Sequence, residues 1–284
     1  MAASGAVWLA RRALVRQYGV PPHRRGTELP VGDAIGTVEL PGPGGATLRA
    51  LVLRSPGAVG TAMVLHGWGG SALDMLPVGE LLREELLDAV LLDARAHGRS
   101  DDVALTSMPA FADDLSAAIS WWRAASGLAG GRLVLVGHSV GAGACLLVAR
   151  DEPAVDAVVM LASMADPRRV MQRVLVGAGL PPGLTALPLR LVEHLVGRRF
   201  TSFAPLGVIR ALDLPLVIVH GQDDVTIPVE DARQLARAAP HAELVVVPGA
   251  GHSDTAVVSA LRAPLRRLLE RLAEAGGPFG QPSK

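Results

Sequence analysis

Five residues, Gly137-His138-Ser139-Val140-Gly141, constrain this chain more than any other stretch. They follow Arg132-Leu133-Val134-Leu135-Val136, a short, apolar, β-branched run that reads as a buried strand. They precede Ala142 to Arg150, rich in Ala and Leu, which reads as a helix. A serine held between that strand and that helix occupies a tight, strained turn. Glycines at 137 and 141 are needed there, because side chains would clash with the neighbouring backbone. The turn lifts the Ser139 hydroxyl out of the sheet, where a base can reach it. The pattern predicts an α/β architecture with Ser139 as a nucleophile.

The rest of the chain agrees with such an architecture. From Thr61 onward, apolar strand candidates at 62–65, 89–92, 133–136, 157–161, 216–219 and 244–247 alternate with helical stretches at 73–87, 110–122, 143–150, 229–238 and 255–273. Alternation with fully apolar strands predicts a parallel sheet covered by helices on both faces. Upstream, segments 37–40 and 47–54 flank Pro41-Gly42-Pro43-Gly44-Gly45 and read as an antiparallel hairpin. One interval breaks the rhythm, about fifty residues between 161 and 216, far longer than an ordinary connection. It holds helical stretches 170–176 and 187–196, separated by Gly179-Leu180-Pro181-Pro182-Gly183. A helical lid at about 163–212, inserted into a body of 35–275, is therefore expected, with arginines at Arg168, Arg169, Arg173, Arg190, Arg198 and Arg199. Residues 1–34 read as an N-terminal helical extension interrupted by Pro21-Pro22, and 276–284 as a flexible tail.

Composition excludes several functions. The formal net charge is +0, which gives no electrostatic footprint for nucleic acid. No apolar stretch reaches the length of a membrane span. Val7-Trp8-Leu9-Ala10 is followed at once by Arg11-Arg12, too short a run for a signal peptide. Val7, Leu14, Val15 and Tyr18 share a helix face that packs on the body or a partner, peripheral membrane contact being the alternative. Cys145 is the only cysteine, so no intrachain disulfide forms and a cytoplasmic setting is expected. No histidine or cysteine cluster has metal-ligand spacing, and no cofactor is implied.

A serine hydroxyl is a poor nucleophile at its free pKa, so it needs a base and a group that orients the base. On this scaffold the acid follows the serine and the histidine comes last. His220-Gly221-Gln222-Asp223-Asp224-Val225-Thr226-Ile227-Pro228 follows an apolar strand and offers two carboxylates. Asp224, just before Val-Thr-Ile-Pro, is the favoured acid; Asp223 competes, and Asp166 is a third candidate. His252, in Pro248-Gly249-Ala250-Gly251-His252-Ser253 between the last strand and last helix, is the expected base. The oxyanion of a tetrahedral intermediate needs donors, for which the backbone N–H groups of Val140 and Trp68 are chosen. Trp68 lies in His66-Gly67-Trp68-Gly69-Gly70, a Gly-rich loop that lacks the pattern of a phosphate loop.

Taken together, His66-Gly67-Trp68-Gly69, Asp93 to Ser100, Gly137 to Gly141, Gly221 to Pro228 and Gly251-His252 resemble the α/β-hydrolase superfamily. The resemblance spans roughly residues 61–275 and leans towards single-domain esterases and the serine aminopeptidase-like group with a helical cap. It implies an eight-stranded, mostly parallel sheet, with the site at the strand C-terminal ends beneath the cap. One departure is Ala96, where the superfamily's D-x-R-G-H-G has glycine. Serine at 139 argues against branches with an aspartate nucleophile, such as dehalogenases and epoxide hydrolases.

The expected reaction is hydrolysis of a small-molecule acyl ester through an acyl-enzyme, without cofactor. The lid residues Val170, Met171, Val174, Leu175, Leu191 and Leu195 either contact the acyl chain or pack the lid onto the body. Thioesterase, peptidase, perhydrolase or acyltransferase activity on the same triad, or non-catalytic ligand binding, are the rival readings.

Overall fold

The computed structural model describes residues 35–124 and 131–274. The strands are β1 (Ile35–Pro41), β2 (Thr47–Leu53), β3 (Gly60–Leu65), β4 (Leu87–Asp93), β5 (Arg132–His138), β6 (Ala157–Leu161), β7 (Leu216–Gly221) and β8 (Glu243–Val247). They form one eight-stranded sheet of order β1-β2-β4-β3-β5-β6-β7-β8. β2 pairs antiparallel with both β1 and β4, and the pairs from β4 through β8 are parallel, so β2 alone runs against the rest.

The helices are α1 (Leu76–Glu84), α2 (Met108–Ala124), α3 (Val140–Asp151), α4 (Pro167–Gly177), α5 (Ala186–Val196), α6 (Phe200–Phe203), α7 (Pro205–Val208), α8 (Val229–Ala238) and α9 (Thr255–Glu274). The strand alternation divides the interior into two cores. Met63, Leu65, Leu133, Leu135, Val158, Met160, Leu216 and Ile218 face α2, α3 and α8. Their neighbours Ala62, Val64, Val134, Val136, Val159, Leu161, Val217 and Val219 face α1 and α9. Both faces of the central strands are dry, which is why those segments read as unbroken apolar runs.

The structure departs from the sequence expectation at several element ends. The expected helix 73–87 begins instead with a 3-10 turn, Ala72–Met75, capped by reciprocal bonds between Ser71 and Asp74. α1 then stops at Glu84, because Leu86 turns left-handed (φ 61°) and sends Leu87 into β4. The insertion between β6 and β7 holds α4 and α5 as expected, and also α6 and α7, each four residues long. The segments 1–34 and 276–284, expected as an extension and a tail, lie outside the described residues. No helix among the described residues is long and apolar enough to cross a membrane.

Candidate active site

The ends of β3, β5, β7 and β8 deliver His66, Ser139, Asp224 and His252 to one edge of the sheet. Carboxyl ends of parallel strands are where an open α/β sheet leaves its crevice. Ser139 caps α3 with φ 54° and ψ −116°, a region that crowds a Cβ. The flanking glycines are forced. A Cβ on Gly137 would lie 2.5 Å from the backbone of Ala142, and one on Gly141 would lie 2.5 Å from the carbonyl oxygens of Leu65 and His66. The Ser139 N–H donates to the Leu161 carbonyl at 2.8 Å, fixing the turn to β6.

His252 Nε2 lies 3.1 Å from Ser139 Oγ, and His252 Nδ1 lies 2.7 Å from Asp224 Oδ2. Asp224 Oδ1 accepts the N–H groups of Thr226 and Ile227 at 2.9 and 2.8 Å. Oδ2 also faces His220 Nε2 at 3.2 Å. Burial pushes the Asp224 carboxyl up, but the hydrogen bonds from His220, His252 and Ile227 outweigh it and hold the group well below the usual carboxylate range. An anionic Asp224 requires His252 Nδ1 to carry a proton, which leaves Nε2 free to accept one from Ser139.

A second histidine braces His252. His138 Nε2 donates to the His252 carbonyl at 2.9 Å, and the two rings lie 4.9 Å apart. The ring also abuts the Gly67–Gly70 loop, since a Cβ on Gly67 would meet His138 Nδ1 at 2.8 Å. Burial lowers the affinity of His138 for a second proton.

The Gly67–Trp68 peptide is pinned from behind. Its carbonyl accepts from His66 Nδ1 at 2.7 Å and from the Gly70 N–H at 3.1 Å. His66 Nε2 in turn accepts the Ala94 N–H at 3.1 Å, so the proton sits on Nδ1. A trans peptide points its N–H opposite to its carbonyl, so the Trp68 N–H faces away from His66. The same loop lies against Ser139, a Gly67 Cβ falling 3.3 Å from Ser139 Cβ. Val140 opens α3, where the first N–H groups have no intrahelical acceptor.

Above these groups lies a cavity of about 1460 Å³. Val170, Met171 and Val174 of α4 and Leu195 of α5 line it, as expected of a roof. Leu175 and Leu191 do not. Leu175 is buried in the core beneath the insertion and ties α4 to the body. On α5 the cavity face is Val192, Leu195 and Val196, one residue on from Leu191, a rotation of about 100° about the helix axis. Phe200 and Phe203 of α6, and Met108 of α2, complete the apolar wall. Sequence reading missed Phe200 and Phe203 because a four-residue helix shows no period, and Met108 because it precedes the helical stretch expected at 110–122. Asp166 instead caps α4, accepting the Arg168 N–H at 2.9 Å. The Asp223 side chain is exposed to solvent, and its N–H donates to the Ala250 carbonyl at 2.9 Å. Cys145 is buried on α3, and burial raises its thiol far above the ordinary value.

Comparison with known proteins places this geometry. The family model described as serine aminopeptidase, S33, matches residues 57–205, and a model described as TAP-like protein matches residues 200–272. The uncharacterized protein YfhR of Escherichia coli O157:H7 is 26% identical over 201 residues, 69% of this chain and 64% of the relative. The chain thus spans a little under two thirds of the length of that relative. A proline iminopeptidase of Xylella fastidiosa is 50% identical over only 44 residues, 16% of this chain and 14% of its own. Among solved structures, the Pyrococcus furiosus esterase Pf2001 aligns with a TM-score of 0.71 at 22% identity, covering 90% of this chain and 97% of its own. Est1E of Butyrivibrio proteoclasticus, with ferulic acid bound, aligns with a TM-score of 0.68 at 18% identity, covering 83% and 99%. At that identity the likeness concerns the fold, while the family model covers more than half of the chain. The chain belongs to the serine aminopeptidase S33 family of α/β-hydrolases.

Proposed function

We propose that this chain is a serine hydrolase that cleaves carboxylic esters through an acyl-enzyme. The observation that carries the reading is the Asp224–His252–Ser139 chain, linked at 2.7 and 3.1 Å, at the floor of an apolar cavity. Ser139 Oγ attacks the acyl carbon while His252 Nε2 takes its proton. The Trp68 and Val140 N–H groups receive the oxyanion. His252 then protonates the leaving alcohol, which departs, and water enters by the same base to release the acid. Asp224 remains ionised throughout and stabilises the imidazolium. Val170, Met171, Val174 and Leu195 hold a hydrophobic acyl chain. The esterase neighbours support an ester as substrate, and a lining that holds Asp74 and Asp254 but neither arginine nor lysine disfavours an anionic one. The buried lone thiol fits a cytoplasmic setting.

The proline iminopeptidase segment favours a second reading, cleavage of an aminoacyl amide by the same groups. Intact-protein mass after treatment with a fluorophosphonate tests the nucleophile. One adduct on wild type and none on Ser139→Ala is expected. A folded wild type that takes no adduct overturns the hydrolase reading in favour of ligand binding without catalysis. Parallel assays with p-nitrophenyl esters and aminoacyl p-nitroanilides then separate the two substrates, turnover of the esters alone being expected.

A further inference from the structure

Asp224 Oδ2 is shared by two imidazoles, His252 Nδ1 at 2.7 Å and His220 Nε2 at 3.2 Å. His220 stands near the end of β7 and is fully buried. Its protonation follows from its surroundings. Nε2 faces two acceptors, Asp224 Oδ2 and the Ile227 carbonyl at 2.8 Å, so the proton sits there. Nδ1 is buried with no hydrogen-bond partner among the described residues. A neutral ring leaves only a lone pair at Nδ1, whereas a protonated ring would bury an unanswered N–H. One ring therefore grips both ends of the acid loop, the carboxylate at 224 and the carbonyl at 227. The Thr226 and Ile227 N–H groups hold the other carboxylate oxygen.

We propose that His220 is a positioning residue for the acid–base pair, fixing Asp224 Oδ2 and sharing its charge with His252. The inference rests on the hydrolase reading above. Each added donor makes a carboxylate less basic. Without His220, more of the charge on Oδ2 would fall on the single bond to His252. The imidazolium would then persist to higher pH, and the base would be less available to Ser139. His220 keeps its own proton throughout, and no covalent bond to it forms or breaks. The other titratable group close by is His138 on β5, which feels the charges of His252, Asp224 and His220.

The test compares wild type with His220→Gln, His220→Leu and His220→Asn. A glutamine amide nitrogen falls near the position of Nε2 and can donate, leucine cannot donate, and asparagine is too short. The first readout is the NMR titration of the His252 ring C–H, which needs no turnover. Its midpoint is expected to rise by about half to one pH unit in the Leu and Asn variants and to stay at the wild-type value in Gln. The acid limb of kcat/KM should move with it, with kcat down about tenfold and KM unchanged. Unmoved midpoints in Leu and Asn, or a Gln variant shifted as far as Leu, overturn the proposal. Should the Leu variant not fold, Asn carries the comparison. Midpoints that move in the variants of a protein whose wild type is inert to fluorophosphonate and esters keep the positioning role and sink the hydrolase reading. Brisk ester cleavage with unmoved midpoints does the reverse.

Discussion

Ser139 holds its backbone where a side chain is crowded and a glycine is not, at φ 54° and ψ −116°. Ser139→Gly should therefore be more stable than wild type by about 1–2 kcal/mol while taking no fluorophosphonate. Denaturant unfolding alongside mass analysis checks both halves. A less stable glycine variant would mean that the Oγ–His252 contact outweighs the backbone relief. Ala96 also stands left-handed, at φ 62°, so the loop keeps a glycine-type turn although alanine replaces the superfamily's glycine. Ser139, Asp224 and His252 were legible in the sequence because each lies on the turn that leaves an apolar strand, and strand ends converge at one edge. The structure brings all three together. His138 and His220 were not legible as braces. Both sit at strand ends, and spacing says nothing about which ring nitrogen meets which acceptor.

Elements were legible where burial imposes a long pattern. β3 to β7 are dry on both faces, so each left an apolar run; β6 matches the expected 157–161, and the ends of β3, β4, β5 and β7 reach one or two residues further. The start of α1 was misjudged, because the Ser71–Asp74 cap and the 3-10 turn after it continue the apolar spacing of the helix. On α5 Leu195 faces the cavity as expected but Leu191 does not, since Leu191 and Val192 are equally apolar and only the packing chooses between them. Packing also separates two glycines of α3. A Cβ at Gly141 would strike the backbone of β3 and its following residue, which cannot yield, so Gly141→Ala should cost about 2–3 kcal/mol. A Cβ at Gly143 would meet the flexible end of Met108 at 2.5 Å and Pro205 Cγ at 3.2 Å, side chains that yield where backbone does not, and alanine favours the helix, so Gly143→Ala should lie within about 1 kcal/mol of wild type. Chemical denaturation of the pair checks the contrast, and equal losses would contradict it.

Across the whole molecule, the sheet separates two cores, and His66 is sealed at its edge under the Gly67–Gly70 loop. Burial lowers His66 to about 4 from its ordinary 6.5, with the bond to the Gly67 carbonyl opposing the shift. Between those values the unfolded chain binds a proton that the folded chain refuses. The His66 contribution to stability is complete above about pH 6.5 and falls by about 3 kcal/mol as the pH drops to about 4. Unfolding in urea at about pH 7.5 and about pH 4.5 should show a smaller acid loss in His66→Gln than in wild type. An equal loss would place the acid sensitivity elsewhere. The cavity has a further consequence. Its reactive floor is assembled from four loops scattered along the chain, whereas much of its roof comes from one uninterrupted stretch, 167–203. The stretch can be traded as a cassette, altering selectivity and leaving the chemistry behind. Two stitches cross the seam: Arg169 Nη2 donates to Gln234 Oε1 of α8 at 2.9 Å, and Arg173 Nη2 donates to the Thr226 carbonyl at 3.4 Å, two residues from Asp224. A graft that drops the second stitch would unsettle the rate along with the choice of substrate, so the two traits are inherited together unless Arg173 travels with the cassette.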